Sequence, residues 1–166
     1  MLLIAIGANL PGAEGGSPRT TCDQAVHALR NLPDIRFVAL SAWYRSAPVP
    51  RDDGQPDYCN GVVRFEGEPD PAWLLASLHK IEAKFGRTRS VANAARTLDL
   101  DLIDCNGIVS TGASLVLPHP RAQLRPFVLQ PILDIAPDWV HPGFDLTAAA
   151  LLAALPQPAA GSMMPW

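Results

Sequence analysis

The stretch Arg96-Thr97-Leu98-Asp99-Leu100-Asp101-Leu102-Ile103 alternates polar and apolar residues with period two, which is the pattern of a strand buried on one side. Leu98, Leu100 and Leu102 share the apolar side, and Thr97, Asp99 and Asp101 share the other. Successive carboxylates on that polar side stand roughly 6.5 to 7 Å apart. At that spacing they repel one another, and hard, oxygen-seeking cations could be shared between them. A surface Asp pair on a solvated strand face is the plainer alternative, and the spacing alone does not choose between the two. Positive charge lies close by in the chain: between Glu82 and Asp99 stand Lys84, Arg87, Arg89 and Arg96 and no acid.

The rest of the chain arranges itself around this strand. Leu2 to Ile6 is an apolar run closed by Gly7-Ala8-Asn9, as expected of a strand buried on both faces that ends in a turn. Residues 11–18 are rich in Gly and Pro and read as loop. Thr21-Cys22-Asp23-Gln24 has the form of a capping box, with Ala25, Val26, Leu29 and Leu32 behind it at helical spacing, so a first helix is predicted to about Asn31. Ile35 to Ser46 and Tyr58 to Glu66 read as strands, separated by a Pro-rich polar loop, Pro48 to Asp57. Asp70-Pro71 supplies a capping acid and an N1 proline to a second helix that Gly86 terminates. Asn106-Gly107 signals a tight hairpin turn after the Asp-x-Asp strand, with a short return strand at 115–117. Helices are expected from Phe127 to about Ile135 and from Asp145 to Leu155, and the tail from about 157 is expected to be loose. The order strand, helix, strand, strand, helix, strand predicts an α+β, ferredoxin-like antiparallel sheet, with helices on one face plus extra C-terminal helices. The other face is left for a site.

At 166 residues and 48% hydrophobic, the chain fits one domain, 1–166, with a sizeable core. A net charge of −3 gives no whole-protein pull toward nucleic acid or anionic membrane. Cys22, Cys59 and Cys105 are dispersed singly, without the paired spacing of zinc or redox motifs. No run approaches the roughly 20 apolar residues that span a bilayer, and Met-Leu-Leu-Ile-Ala-Ile-Gly lacks a basic n-region. A cytoplasmic protein is expected.

Five stretches carry a family resemblance: Ala5-Ile6-Gly7-Ala8-Asn9-Leu10; Gln55-Pro56-Asp57-Tyr58-Cys59-Asn60; Ile81-Glu82 through Gly86-Arg87-Thr88-Arg89; Arg96 to Asp101; and Pro118-His119-Pro120-Arg121 with Arg125 and Phe127. Together they resemble the 6-hydroxymethyl-7,8-dihydropterin pyrophosphokinase family, in order, over residues 4 to about 137. The resemblance implies transfer of the terminal diphosphate of ATP to a pterin alcohol in folate synthesis, with two Mg²⁺ ions held by Asp99 and Asp101. Arg87, Arg96, Arg125 and His119 would face the phosphates, and Glu82 matches a position near the nucleotide. Tyr58 and Phe127 would flank the pterin ring, Asn60 would meet its amide edge, and Ser46, Ala47 and Val49 would line the same pocket. Asn9 and Gln55 read as supporting residues. No general base is obvious, and Asp101 is the better candidate. ATP and the pterin alcohol are the expected partners of a monomeric protein.

The run Arg89-Ser90-Val91-Ala92-Asn93-Ala94-Ala95-Arg96 departs from the family, which usually has a Lys after the second loop arginine and a Trp with a Pro before the next. A loop without them should close less firmly over its ligands, lowering turnover or the hold on ATP. Ser114 and Val116 also stand where polar or basic contacts to the ribose are frequent. The rival reading is a catalytically impaired paralogue that binds pterin or nucleotide without turnover. Either Asp99→Ala or Asp101→Ala is expected to remove activity while relieving repulsion.

Overall fold

The computed structural model describes residues 1–12, 15–48, 54–86, 97–156 and 163–166. Among these, six strands form one antiparallel sheet, in the order β10(Met164–Pro165), β3(Tyr44–Ser46), β4(Tyr58–Gly67), β1(Leu2–Ala8), β5(Asp99–Cys105), with β2(Ile35–Leu40) also paired to β4. The Asp-x-Asp strand is therefore an edge strand beside β1, with Ala5 opposite Asp101 and Gly7 opposite Asp99.

Period-two alternation divides the sheet into two cores. Leu2, Ile4, Ile6, Leu98, Leu100 and Leu102 face α1(Pro18–Arg30) and α2(Pro71–Lys84). Leu3, Ala5, Val62 and Ile103 face α3(Pro126–Ile135) and α4(Ala148–Ala153) through Val128, Leu129, Ile132 and Leu151. The C-terminal helices thus cover part of the face expected to be free. What remains open is the end that carries Gly7, Tyr58, Asn60, Asp99 and Asp101.

Helix α2 forms as expected: Asp70 caps it by accepting the Trp73 amide, Pro71 is its first residue and Gly86 follows at φ 82°. Helix α1 begins four residues earlier than the capping box suggests, because Ser17 accepts the Thr20 amide and Pro18 fills the first turn. Thr21 lies inside the helix. The predicted continuous strand 35–46 breaks at Ser41-Ala42-Trp43, where the Ser41 hydroxyl accepts the Val62 amide. The Trp43 ring lies over Gly61, where an added Cβ would come within 2.6 Å of it.

The Asn106-Gly107 turn is present at φ 52° and 71°, but β5 does not pair with the next strand. Instead β6(Ser110–Gly112) pairs with β7(Leu115–Leu117). The last predicted helix is shorter, because Leu146–Thr147 forms strand β9, paired with β8(Val140–His141), and Thr147 caps α4. In the tail, Met164–Pro165 pairs with β3 and the Trp166 amide donates to the Trp43 carbonyl at 2.9 Å, so this segment is docked. Among the described residues no helix is long and apolar enough to cross a membrane.

Candidate active site

Strand pairing positions most of the predicted residues. Tyr58 and Asn60 point the same way from β4, Gly7 faces Asn60 across the β1–β4 pair, and Asp99 faces Gly7 on the other side. Helix α3 brings Phe127 over them, and the end of β3 brings Ser46 and Ala47. Tyr58, Asn60, Asp99, Asp101, Arg125, Phe127, Ser46 and Ala47 line one cavity of about 100 Å³.

Within it the amide of Asn60 is oriented. Its Nδ2 donates to the Ser46 hydroxyl at 2.9 Å, so Oδ1 is the group over Gly7, where a Cβ would approach it to 3.3 Å. Gly7 was given no role by sequence reasoning. A glycine inside an otherwise apolar strand is the signal that marks such a close approach. Ala5, Ile6, Pro48, Arg121 and Val128 complete the lining.

Asp101 is the electrostatic centre. Its Oδ2 accepts from Arg125 Nη1 at 2.9 Å and lies 3.5 Å from His119 Nε2. His119 Nδ1 accepts the Arg121 amide at 3.1 Å, which leaves the proton of the neutral ring on Nε2, toward the carboxylate. Burial pushes the His119 pKa below its ordinary value; the Asp101 charge opposes this, while Arg125 and Arg121 add to it. The His119 amide donates to the Ile103 carbonyl at 2.9 Å, tying the turn to β5 at a bulge where the register with β1 shifts.

Glu82 is buried rather than exposed, at 2%. Its Oε1 accepts the Leu100 amide at 2.8 Å, between Asp99 and Asp101. With His79, Leu75, Leu102, Val116 and His119, it lines a second cavity of about 250 Å³ that also touches Asp101. Asn9 donates to the Pro56 carbonyl at 3.2 Å and to Gln55 Oε1 at 3.5 Å, a supporting role as expected. Arg87, Arg96, Arg89 and Val49 lie outside the described residues.

The pair Asp99 and Asp101 offers only hard oxygen donors, and among the described residues no cluster of three His, Cys, Asp or Glu could hold a metal by itself. That donor set fits a divalent cation completed by water and ligand oxygens rather than a closed protein cage. A cavity lined by Tyr58 and Phe127 with one oriented amide, beside carboxylates faced by an arginine and a histidine, has the makings of a small-molecule site.

Comparison with known proteins narrows the class. The family model for 7,8-dihydro-6-hydroxymethylpterin-pyrophosphokinase (HPPK) matches residues 3–137. The 2-amino-4-hydroxy-6-hydroxymethyldihydropteridine pyrophosphokinase of Synechocystis sp. is 43% identical over 77% of this chain, which spans 65% of that protein's length. The protein of the same name from Pseudomonas aeruginosa is 38% identical, over 81% of this chain and 80% of that protein. A triple mutant of Plasmodium falciparum HPPK-DHPS shares the fold with a TM-score of 0.67 at 11% identity, over 90% of this chain and 43% of that one. This chain belongs to the HPPK family.

Proposed function

We propose that this chain transfers the β,γ-diphosphate of ATP to the hydroxymethyl group of 6-hydroxymethyl-7,8-dihydropterin, giving AMP, as a step of folate biosynthesis. The observation that carries the reading is that Asp101 stands between two adjoining cavities. One has the residues for a pterin; the other mixes aliphatic side chains with His79, Glu82 and His119, a lining that suits a nucleotide. The diphosphate passes between them at the carboxylate pair.

Tyr58 and Phe127 flank the ring, and Asn60 Oδ1 accepts from its N–H edge. Arg125 and the Nε2–H of His119 meet the phosphate oxygens, and the family resemblance adds Arg87 and Arg96 to that role. Asp99 and Asp101 would hold two Mg²⁺ ions, which would supply charge neutralisation at the phosphate oxygens. Phosphoryl-type transfer leaves the protein chiefly positioning and charge stabilisation to supply. The Asp101 carboxylate, or water, takes the alcohol proton. Glu82 serves the nucleotide side through the wall it shares with Leu100.

The sheet order supports a ferredoxin-like reading of two strand-helix-strand halves; on this reading the chain is a single domain, 1–166, acting as a monomer. Three free, buried thiols suit the reducing cytoplasm. Incubation with ATP, Mg²⁺ and the pterin alcohol should release AMP and the pterin diphosphate. No AMP at high enzyme concentration would overturn the reading in favour of a binding protein without turnover.

A further inference from the structure

The wall of the ring cavity opposite α3 is unusually short. Strand β3 has three residues, and only its last, Ser46, continues into the cavity-lining Ala47 and Pro48. Three residues of pairing with β4 give it little support of its own. What else holds it is visible one step away. Tyr44 shares a face with Ser46 by strand period, and its hydroxyl donates to Asp134 at 3.0 Å from Oδ1 and 2.9 Å from Oδ2. The Ala42 amide donates to the same carboxylate at 3.2 Å. Asp134 thus grips the segment that leads into the wall at two points.

Asp134 lies in the last turn of α3, and Phe127, which forms the facing wall, lies near its start. Seven residues of helix separate them, roughly 10 Å, with Pro131 between them. Tyr44 and Ser46 are about 7 Å apart along β3. One carboxylate therefore joins the segment leading into Ser46 to the helix that carries Phe127, and both Ser46 and Phe127 line the cavity. The coupling continues inward, because Ser46 also holds the Asn60 amide in its orientation. We propose that the Tyr44–Asp134 contact is a positioning brace that sets the width of the ring slot and, through Ser46, the orientation of Asn60. Neither residue touches the ring.

The inference rests on the pterin reading for its activity readout, but not for its structural one. Tyr44→Phe keeps the ring packing and removes the hydroxyl; Asp134→Ala removes the acceptor for both donors; Asp134→Asn keeps an acceptor. Pterin affinity, measured by fluorescence titration, should fall about three- to tenfold in Tyr44→Phe and Asp134→Ala, the loss expected for one or two modest hydrogen bonds. It should recover largely in Asp134→Asn, while KM for ATP stays within about twofold of wild type. Amide exchange at Ser46 and Ala47 should quicken in the first two variants and not in the third. Equal losses of both substrates, or unchanged pterin affinity with unchanged exchange, would overturn the brace. A wild-type protein that binds no pterin defeats the pterin reading instead, and the brace is then decided by the exchange of Ser46 and Ala47 alone.

Discussion

Neutralising Asp101 should destabilise the metal-free protein, although repulsion from Asp99 argues for the opposite sign. Two opposing energies meet at this carboxylate. Asp99 and Asp101 stand roughly 7 Å apart, and at an effective dielectric near 20 their repulsion is about 2 kcal/mol. The Arg125 guanidinium is 2.9 Å from Asp101 Oδ2, and an opposite-charge pair at contact distance in the same dielectric attracts by about 4 kcal/mol. The side chains are only 18% and 29% exposed, so solvent screens the pair incompletely. Attraction wins by about 2 kcal/mol before desolvation, and some of that is returned when one charge is removed. For Asp101→Asn the expected net loss is about 1 kcal/mol, or about 2 to 4 °C in Tm for a domain of this size. Urea denaturation in chelator would measure it, with the midpoint falling at an unchanged slope. A midpoint equal to or above wild type would refute the reasoning. Turnover by the same variant should be nearly abolished, because the proposed metal ligand is lost.

Two further outcomes follow from buried groups. Glu82→Ala strands the Leu100 amide that Oε1 now accepts and should cost about 2 to 3 kcal/mol, whereas Glu82→Gln keeps an acceptor and should cost less; equal urea midpoints for the two variants would contradict this. Burial lowers the pKa of both His119 and His141 from 6.5. The unfolded chain therefore binds protons that the folded one refuses, so stability is full above pH 6.5 and falls as the pH drops through and below that value. Thermal melts between pH 7.5 and 5 should show the decline, and His141→Leu should flatten it; an unchanged slope in that variant would assign the decline elsewhere.

Local signals were legible where their causes are local. Asp70, Pro71 and Gly86 delimit α2 as their chemistry requires, and the Leu98, Leu100, Leu102 alternation put Asp99 and Asp101 on one face. The first helix was misjudged because two capping patterns compete, and Ser17 with Pro18 prevails over Thr21. The break at Ser41 was hidden since Trp43 supplies an apolar residue to the pattern, and only the space above Gly61, 18 residues later, accounts for its turning inward.

In the site, residue types were readable and partners were not. Tyr58, Asn60, Ser46 and Phe127 line one cavity. The Arg125–Asp101 pair joins residues 24 apart; compensation by cations is legible in the sequence, but nothing there signals that Arg125 supplies it. Glu82 on a helix reads equally as surface or site; its burial follows only from the edge of β5 lying against α2. The covering of half the open face depends on Ile103 and the bulge that turns Asp104 toward the Trp139 indole, at 2.6 Å, an irregularity that strict alternation cannot encode.

The margins of the sheet nearest the site carry one more consequence. On β5 the outward amide of Leu100 is taken by Glu82 and the outward carbonyl of Ile103 by His119. Beyond β3, the chain finishes the sheet with Met164–Pro165, and a proline has no N–H to offer a newcomer. These groups are thereby withheld from strand addition by a second molecule, so crowding of this protein at high concentration should less readily stitch its sheets together beside the two cavities.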